Sequence, residues 1–132
     1  MAEQESYPAD LKYNAEHTWL KIDPDGKARV GVTDYAQRQL KDVVFVGLPE
    51  AGTTVVQMDP FGVIESAKAT NDLYSPVSGT VIDINDHLSD DPGLVNRDPY
   101  GAGWMITIEL SDPSEVQKLI SSVEYRALTS GK

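Results

Sequence analysis

The run EAGTTVVQMDPFGVIESAKATNDLYSPVSGTVIDIN, from Glu50 to Asn85, decides how the chain is read. Apolar, strand-like stretches on both sides fade into the small and polar run ESAKATND, and Lys68 sits inside that run. On a hairpin reading FGVI enters, LYSPV returns, and Ala67, Lys68 and Ala69 form a connection that projects from the sheet into solvent. Flanking alanines leave the amine unobstructed. Gly52 stands sixteen residues before Lys68 and Gly79 eleven after, each placed to serve a turn that brings the ends of the unit together. Pro76 would stiffen the returning strand where a further turn begins.

Outward from that hairpin the same pattern continues. HTWLKI, KARVGVT, VVFVGL, TTVVQM, GTVIDI and WMITIEL are short, rich in Val, Ile, Thr and aromatics, and each fits a strand. Turn signals separate them at Asp23-Pro24-Asp25-Gly26, Leu48 to Gly52, Asp59-Pro60 and Pro76 to Gly79. The expected body is mainly β, a sandwich or barrel. Helices are expected in three places. TDYAQRQL, after the second strand, has Thr33 or Asp34 as cap and Ala36, Leu40 and Tyr35 facing inward. DPSEVQKLISS has Asp112 as N-cap, Pro113 at the first helical position, Glu115 placed for a capping box, and Val116, Leu119 and Ile120 as its apolar stripe. A further turn over VEYRAL has Ser121 and Glu124 at capping-box spacing, before the chain frays at TSGK. No repeat or linker divides the chain, so residues 1–132 are read as a single domain with its hairpin at about 61–79 and a C-terminal helical region at about 112–128.

Composition narrows the chemistry. The chain has 132 residues, 11 basic against 21 acidic side chains, and a formal net charge of −10, which repels nucleic acid and anionic lipid alike. There is no cysteine, so disulfides, thiolate metal sites and thiol nucleophiles are excluded, and any sulfur chemistry must arrive on a cofactor. The opening MAEQESYPAD carries acid where a secretion signal carries basic and apolar stretches, and no run approaches the roughly 18 apolar residues that span a bilayer. The expected address is the cytoplasm of a bacterium.

Most side chains that could carry chemistry read better as structure. His17 and His87 lack a third histidine at ligand spacing or a serine in triad order, so neither a metal nor a hydrolytic role is assigned. Trp19 and Trp104 alternate with apolar neighbours and read as core or cleft wall. A hydrolase built on Ser66 or Ser78 is disfavoured, because neither serine sits in a nucleophile elbow. Lys68 is the exception among seven lysines.

Glu65, three residues before the lysine, with Ser66, Ala67 and Ala69 beside it and Ser75-Pro76 beyond, resembles the attachment hairpin of lipoyl and biotinyl domains. Biotin carriers resemble Met-Lys-Met and the lipoyl domains of 2-oxo acid dehydrogenases resemble Asp-Lys-Ala, whereas this chain reads Ala67-Lys68-Ala69. PADLKY, HTWLK, VGVTDYAQ, DVVFVGLPEAG, FGVIESAKA, YSPVSG, LVNRDPYGAGW and DPSE together resemble, over nearly the whole length, the H protein family of the glycine cleavage system.

That resemblance implies a barrel-sandwich hybrid fold with a short helix after the second strand and a C-terminal helix. It implies lipoate bound as an amide to Lys68, with Glu65, Ser66, Ala67 and Ala69 as attachment context. It implies a carrier and not an enzyme. The aminomethyl group of glycine passes from a pyridoxal-phosphate glycine decarboxylase to a tetrahydrofolate-dependent aminomethyltransferase, and a flavin- and NAD-dependent dihydrolipoyl dehydrogenase reoxidises the arm. A lipoate ligase or lipoyl transferase would load it, and a monomer is expected. A relay that donates lipoyl groups to other complexes, or a lipoyl domain of a 2-oxo acid dehydrogenase, is the alternative.

In the family a cleft holds the loaded arm. Where the family reads His-Glu-Trp this chain has His17-Thr18-Trp19, so Glu16 or Asp72 is left to supply the charge beside His17. Asn96, Tyr100 and Gly103-Trp104 match the family and would fix a loop near the arm. Lys41 and Gly47 stand where the family more often has glycine and an acid.

Overall fold

The computed structural model describes residues 7–130, Ser130 by its backbone alone; the first six residues of the acidic opening and Gly131-Lys132 of the closing TSGK lie outside them. In chain order come β1 (Lys12–Tyr13), β2 (Thr18–Ile22), β3 (Ala28–Val32), α1 (Asp34–Leu40), β4 (Val43–Gly47), β5 (Thr54–Val55), β6 (Pro60–Ser66), β7 (Thr70–Tyr74) and β8 (Gly79–Ile84). There follow α2 (His87–Asp90), α3 (Leu94–Arg97), β9 (Ile106–Leu110), a 3₁₀ segment (Pro113–Lys118) and α4 (Ser122–Ser130). A six-stranded sheet runs β1-β2-β3-β9-β8-β5 and a three-stranded sheet runs β4-β6-β7, all pairings antiparallel. The mainly β expectation holds as two sheets without a closed barrel. The short helix follows the third strand, because the two-residue β1 is too brief to show as a periodic run.

Strand alternation places two cores on the two faces of the large sheet. Leu20, Val30, Val32, Val81, Ile106 and Ile108 turn one way and pack with Val43, Val46, Phe61, Ile64 and Leu73 of the small sheet. Trp19 turns the other way, lies flat over Gly31 and donates its indole N–H to the Pro99 carbonyl at 3.0 Å. It joins Tyr7, Leu11, Tyr13 and Tyr125 in a second, aromatic core, against which Trp104 is partly buried. Tyr13 and Tyr125 stack with centroids 4.9 Å apart, which fastens α4 to the sheet.

Several expectations need correction. TTVVQM forms a strand only at Thr54–Val55, because the backbone then turns over Val56 to Asp59 with Met58 at φ 70°. The last strand begins at Ile106, two residues later than WMITIEL suggested. The helix over residues 112–122 is a 3₁₀ segment ending at Lys118: Asp112 does cap it, through Ser114, but Glu115 closes no capping box. The Glu115 carboxylate instead accepts from the Ser78 amide at 2.7 Å and its hydroxyl at 2.8 Å, tying the segment to the turn before β8. Leu119 and Ile120 leave the helix because Ile120 exchanges two backbone bonds with Tyr13, 2.9 and 2.8 Å, completing the otherwise open edge of β1. The less conspicuous VEYRAL becomes the regular helix, its capping box made as read: Glu124 accepts from the Ser121 amide at 2.9 Å and Ser121 Oγ from the Glu124 amide at 3.2 Å. The Ser121 amide and hydroxyl hold the Glu124 carboxyl below its ordinary range. The helix continues through Thr129, which is buried, so no fraying begins there.

α1 ends on strain. Thr33 caps its start, accepting the Ala36 amide at 3.2 Å, but Lys41 at its end has φ 63° and ψ −140°, outside the left-handed helical well and in territory that glycine tolerates far better. Lys41→Gly removes a cost of about 1–3 kcal/mol and adds unfolded-state entropy worth somewhat less. The variant should gain about 1 kcal/mol, raising the melting midpoint by roughly 4 °C. Thermal unfolding followed by circular dichroism checks it, and an unchanged or lower midpoint contradicts it.

Candidate functional site

The hairpin that carries Lys68 has the connection its sequence suggests. β6 runs through Ser66 and β7 starts at Thr70, with Glu65 paired to Thr70 and the Ser66 amide donating to the Ala69 carbonyl at 2.9 Å. Glu65, Ser66, Thr70, Asn71 and Asp72 therefore belong to strands, and Ala67, Lys68 and Ala69 form the connection between them. Short hairpin tips commonly need positive φ, which none of these three residues adopts. The Ser66 hydroxyl compensates by accepting the Lys68 and Ala69 amides at 3.3 and 3.2 Å. Ser66 is thus the brace of the tip. Ala67, Lys68 and Ala69 are exposed, and Glu65 is half-buried between its partners Phe45 and Thr70.

Gly52 has φ 97° and serves a turn as expected, its amide bonding to the Val81 carbonyl at 2.7 Å. Gly79 serves packing instead: it stands in β8 between Val55 and Leu110, pressed against the backbone of Glu109. Together they anchor the hairpin's base to the large sheet.

A cleft of about 570 Å³ opens beside β7. One wall is β7 itself, Thr70 to Tyr74; another is α1 through Tyr35, Ala36, Gln39 and Leu40; Glu16 and His17, from the β1–β2 turn, complete the lining. The three residues Glu16, His17 and Asp72, far apart in sequence, thus line one cavity, with Asp72 on β7 and not on the lysine's own loop. Glu16 and Asp72 are exposed at its mouth. Thr18 is fully buried and donates its hydroxyl to the Tyr74 carbonyl at 3.0 Å, pinning β2 to the end of β7.

His17 is held in an unusual posture, at φ 74°. Asn14 enforces it: its side-chain carbonyl accepts the Glu16 and Thr18 amides at 3.0 and 2.9 Å, and its backbone carbonyl accepts the His17 amide at 3.2 Å. The His17 ring lies 4.8 Å from Tyr35, and its Nδ1 is 2.7 Å from the Tyr125 hydroxyl, which is 2.8 Å from Thr33 Oγ1. Burial pushes the Tyr125 hydroxyl well above the ordinary phenol range, so it keeps its proton. Sequence reading missed Tyr125 and Thr33 as neighbours of His17: 108 residues separate His17 from Tyr125, and a tyrosine on an amphipathic helix signals only core.

The remaining candidates sit elsewhere. Asn96 donates to the Lys41 carbonyl at 2.6 Å and the Gln37 side chain at 2.9 Å and accepts the Val43 amide at 2.9 Å, while the Tyr100 hydroxyl accepts the Asp34 amide at 2.9 Å. Both therefore secure α1, a wall of the cleft, and not the lysine's tip. Trp19 and Trp104 are absent from the cleft lining, as is His87 on α2. Among the described residues no group of three or more histidines and acids could hold a metal ion, and no helix is long and apolar enough to cross a membrane.

A family model described as glycine cleavage H-protein matches residues 11–132. The chain is 52% identical over 122 residues to the glycine cleavage system H protein of Oceanobacillus iheyensis, covering 92% of this chain and 96% of that protein. To the protein of that name from Marinobacter nauticus it is 50% identical over 118 residues, covering 89% and 91%. It superposes on the crystal structure of a glycine cleavage system H protein from Mycobacterium marinum with a TM-score of 0.86 at 39% identity, covering 93% of this chain and 98% of that one.

Proposed function

The chain belongs to the glycine cleavage H-protein family and has that family's lipoyl-carrier role in glycine cleavage; from that premise we propose that Lys68 is the attachment residue and that the cleft between β7, α1 and the β1–β2 turn receives the loaded arm. The observation that carries this reading is the exposed lysine at a three-residue hairpin tip whose returning strand is itself a wall of that cleft. A lipoyl group amide-linked there supplies the disulfide that a chain without cysteine lacks. Its arm of roughly ten bonds, at about 1.5 Å each, spans under about 15 Å. The four residue steps from Thr70 to Tyr74 span about 13 Å, so the arm's reach matches the strand it would lie along.

The residues fit the task. Ala67 and Ala69 place no bulk beside the amine, and Ser66 keeps the tip rigid for the enzyme that acylates it. Glu16 and Asp72 put carboxylates at the cleft mouth to pair with the cargo's amine, and the apolar lining of Val32, Leu40, Ile64 and Leu73 limits water. The carrier would work as one unit in the bacterial cytoplasm. It would visit a pyridoxal-phosphate glycine decarboxylase, a tetrahydrofolate-dependent aminomethyltransferase and a flavin- and NAD-dependent dihydrolipoyl dehydrogenase, after loading by a lipoate ligase or lipoyl transferase.

Digestion and mass spectrometry after incubation with a lipoate ligase should place the lipoyl group on Lys68; attachment at another lysine overturns the reading. In the loaded protein, Asp72→Asn or Glu16→Gln should hasten loss of the aminomethyl cargo. Each carboxylate is exposed, so an ion pair there is worth at most about 1 kcal/mol, or about a two- to fivefold change for either alone. Unaltered loss in both variants would remove the carboxylates from the cleft's role.

A further inference from the structure

The cleft's histidine is wired to the C-terminal helix, and proton bookkeeping in that contact decides its state. Thr33 is fully buried, and its Oγ1 already accepts the Ala36 amide at 3.2 Å as the cap of α1. Among the described residues its own proton has one acceptor within reach, the Tyr125 oxygen at 2.8 Å. With Thr33 donating, the proton of Tyr125, itself fully buried, is left for His17 Nδ1 at 2.7 Å. The reverse order, Tyr125 donating to Thr33 and His17 donating to Tyr125, strands a buried hydroxyl proton without an acceptor, which costs more than a hydrogen bond returns.

We propose that Tyr125 is a positioning residue for the carrier cleft: through its hydroxyl it fixes His17 as the neutral ring protonated at Nε2, and locks the His17 turn to the start of α1. This rests on the reading that the cleft receives the loaded arm. A neutral imidazole leaves the Glu16 and Asp72 carboxylates uncountered for an incoming amine, where an imidazolium would repel it. The same hydroxyl joins two of the cleft's walls, since Thr33 begins α1 and also bonds the His17 carbonyl through its amide at 3.0 Å. The cleft's width is thereby set by a helix that contributes no lining residue to it.

The test has a part that needs no variant. In ¹⁵N-labelled protein at pH 8, the ring nitrogens of His17 should report a proton on Nε2 and a hydrogen-bonded, unprotonated Nδ1; a protonated Nδ1 overturns the proposal. Tyr125→Phe, which keeps the ring that stacks on Tyr13, should move the Nδ1 resonance toward that of an unbonded ring nitrogen. In the lipoylated, loaded protein it should hasten cargo loss about fivefold, the factor one net hydrogen bond represents. Ring resonances that do not move, or moved resonances with unchanged cargo loss while Asp72→Asn or Glu16→Gln hastens it, both overturn it. Failure of all three variants to affect cargo loss marks instead a failure of the cleft reading, and takes the positioning role with it.

Discussion

Lys68→Arg should give a folded protein that takes up no lipoyl group at all. Acylation needs an amine that can shed its proton and attack as a neutral nucleophile; lysine can do so, whereas a guanidinium stays charged at any working pH. The substitution keeps charge and length, and the side chain is exposed at the tip, so stability should change by less than about 0.5 kcal/mol. Intact mass after incubation with lipoate, ATP and a ligase is the measurement: one added group on the native chain, none on the variant. An added group on the variant would show that another lysine serves and would dissolve the proposed site. The effect is all or none because, among the described residues, no other lysine sits at such a tip, where Ser66 braces the turn and alanines clear the approach.

Gly79→Ala should produce the largest loss of stability. A methyl group there would fall inside the van der Waals contact of the Glu109 carbonyl oxygen and against the Ile108 side chain, both in the adjoining strand β9. Gly79 is paired on both sides, to Val55 and to Leu110, so neither neighbour can retreat without breaking a ladder. Overpacking against backbone sits at the upper end of the usual range, about 3 kcal/mol, or roughly 10 °C in the melting midpoint for a domain of this size. Urea unfolding followed by tryptophan fluorescence measures it. A loss under about 1 kcal/mol would mean that the strands move apart freely and that Gly79 is not what holds the hairpin's base.

These two sites differ in how legible they were. Lys68 stands out in sequence because a basic residue between alanines interrupts two apolar runs of strand period, a local pattern. Gly79 was readable as special, but for the wrong reason: a turn was inferred, whereas the need is close approach to β9, thirty residues downstream. The C-terminal region shows the same division. DPSEVQKLISS has every local helix signal, yet Ile120 abandons the helix to complete the open edge of β1, while VEYRAL, with fewer signals, forms the longer helix once Tyr125 is buried against Tyr13.

What the amino-acid order determined by itself was local: strand periodicity, most turns, Ser121 as a cap and Thr33 or Asp34 as another, the exposed lysine, and a family pattern spread along the chain. The tertiary structure alone decided which sheet each strand joined, that Glu16, His17 and Asp72 face one cleft, and that a tyrosine 108 residues away governs that histidine. The reason is that helix, strand and turn preferences act over a few residues. Pairing a free strand edge and satisfying a buried hydroxyl are demands met by whatever segment the fold brings near.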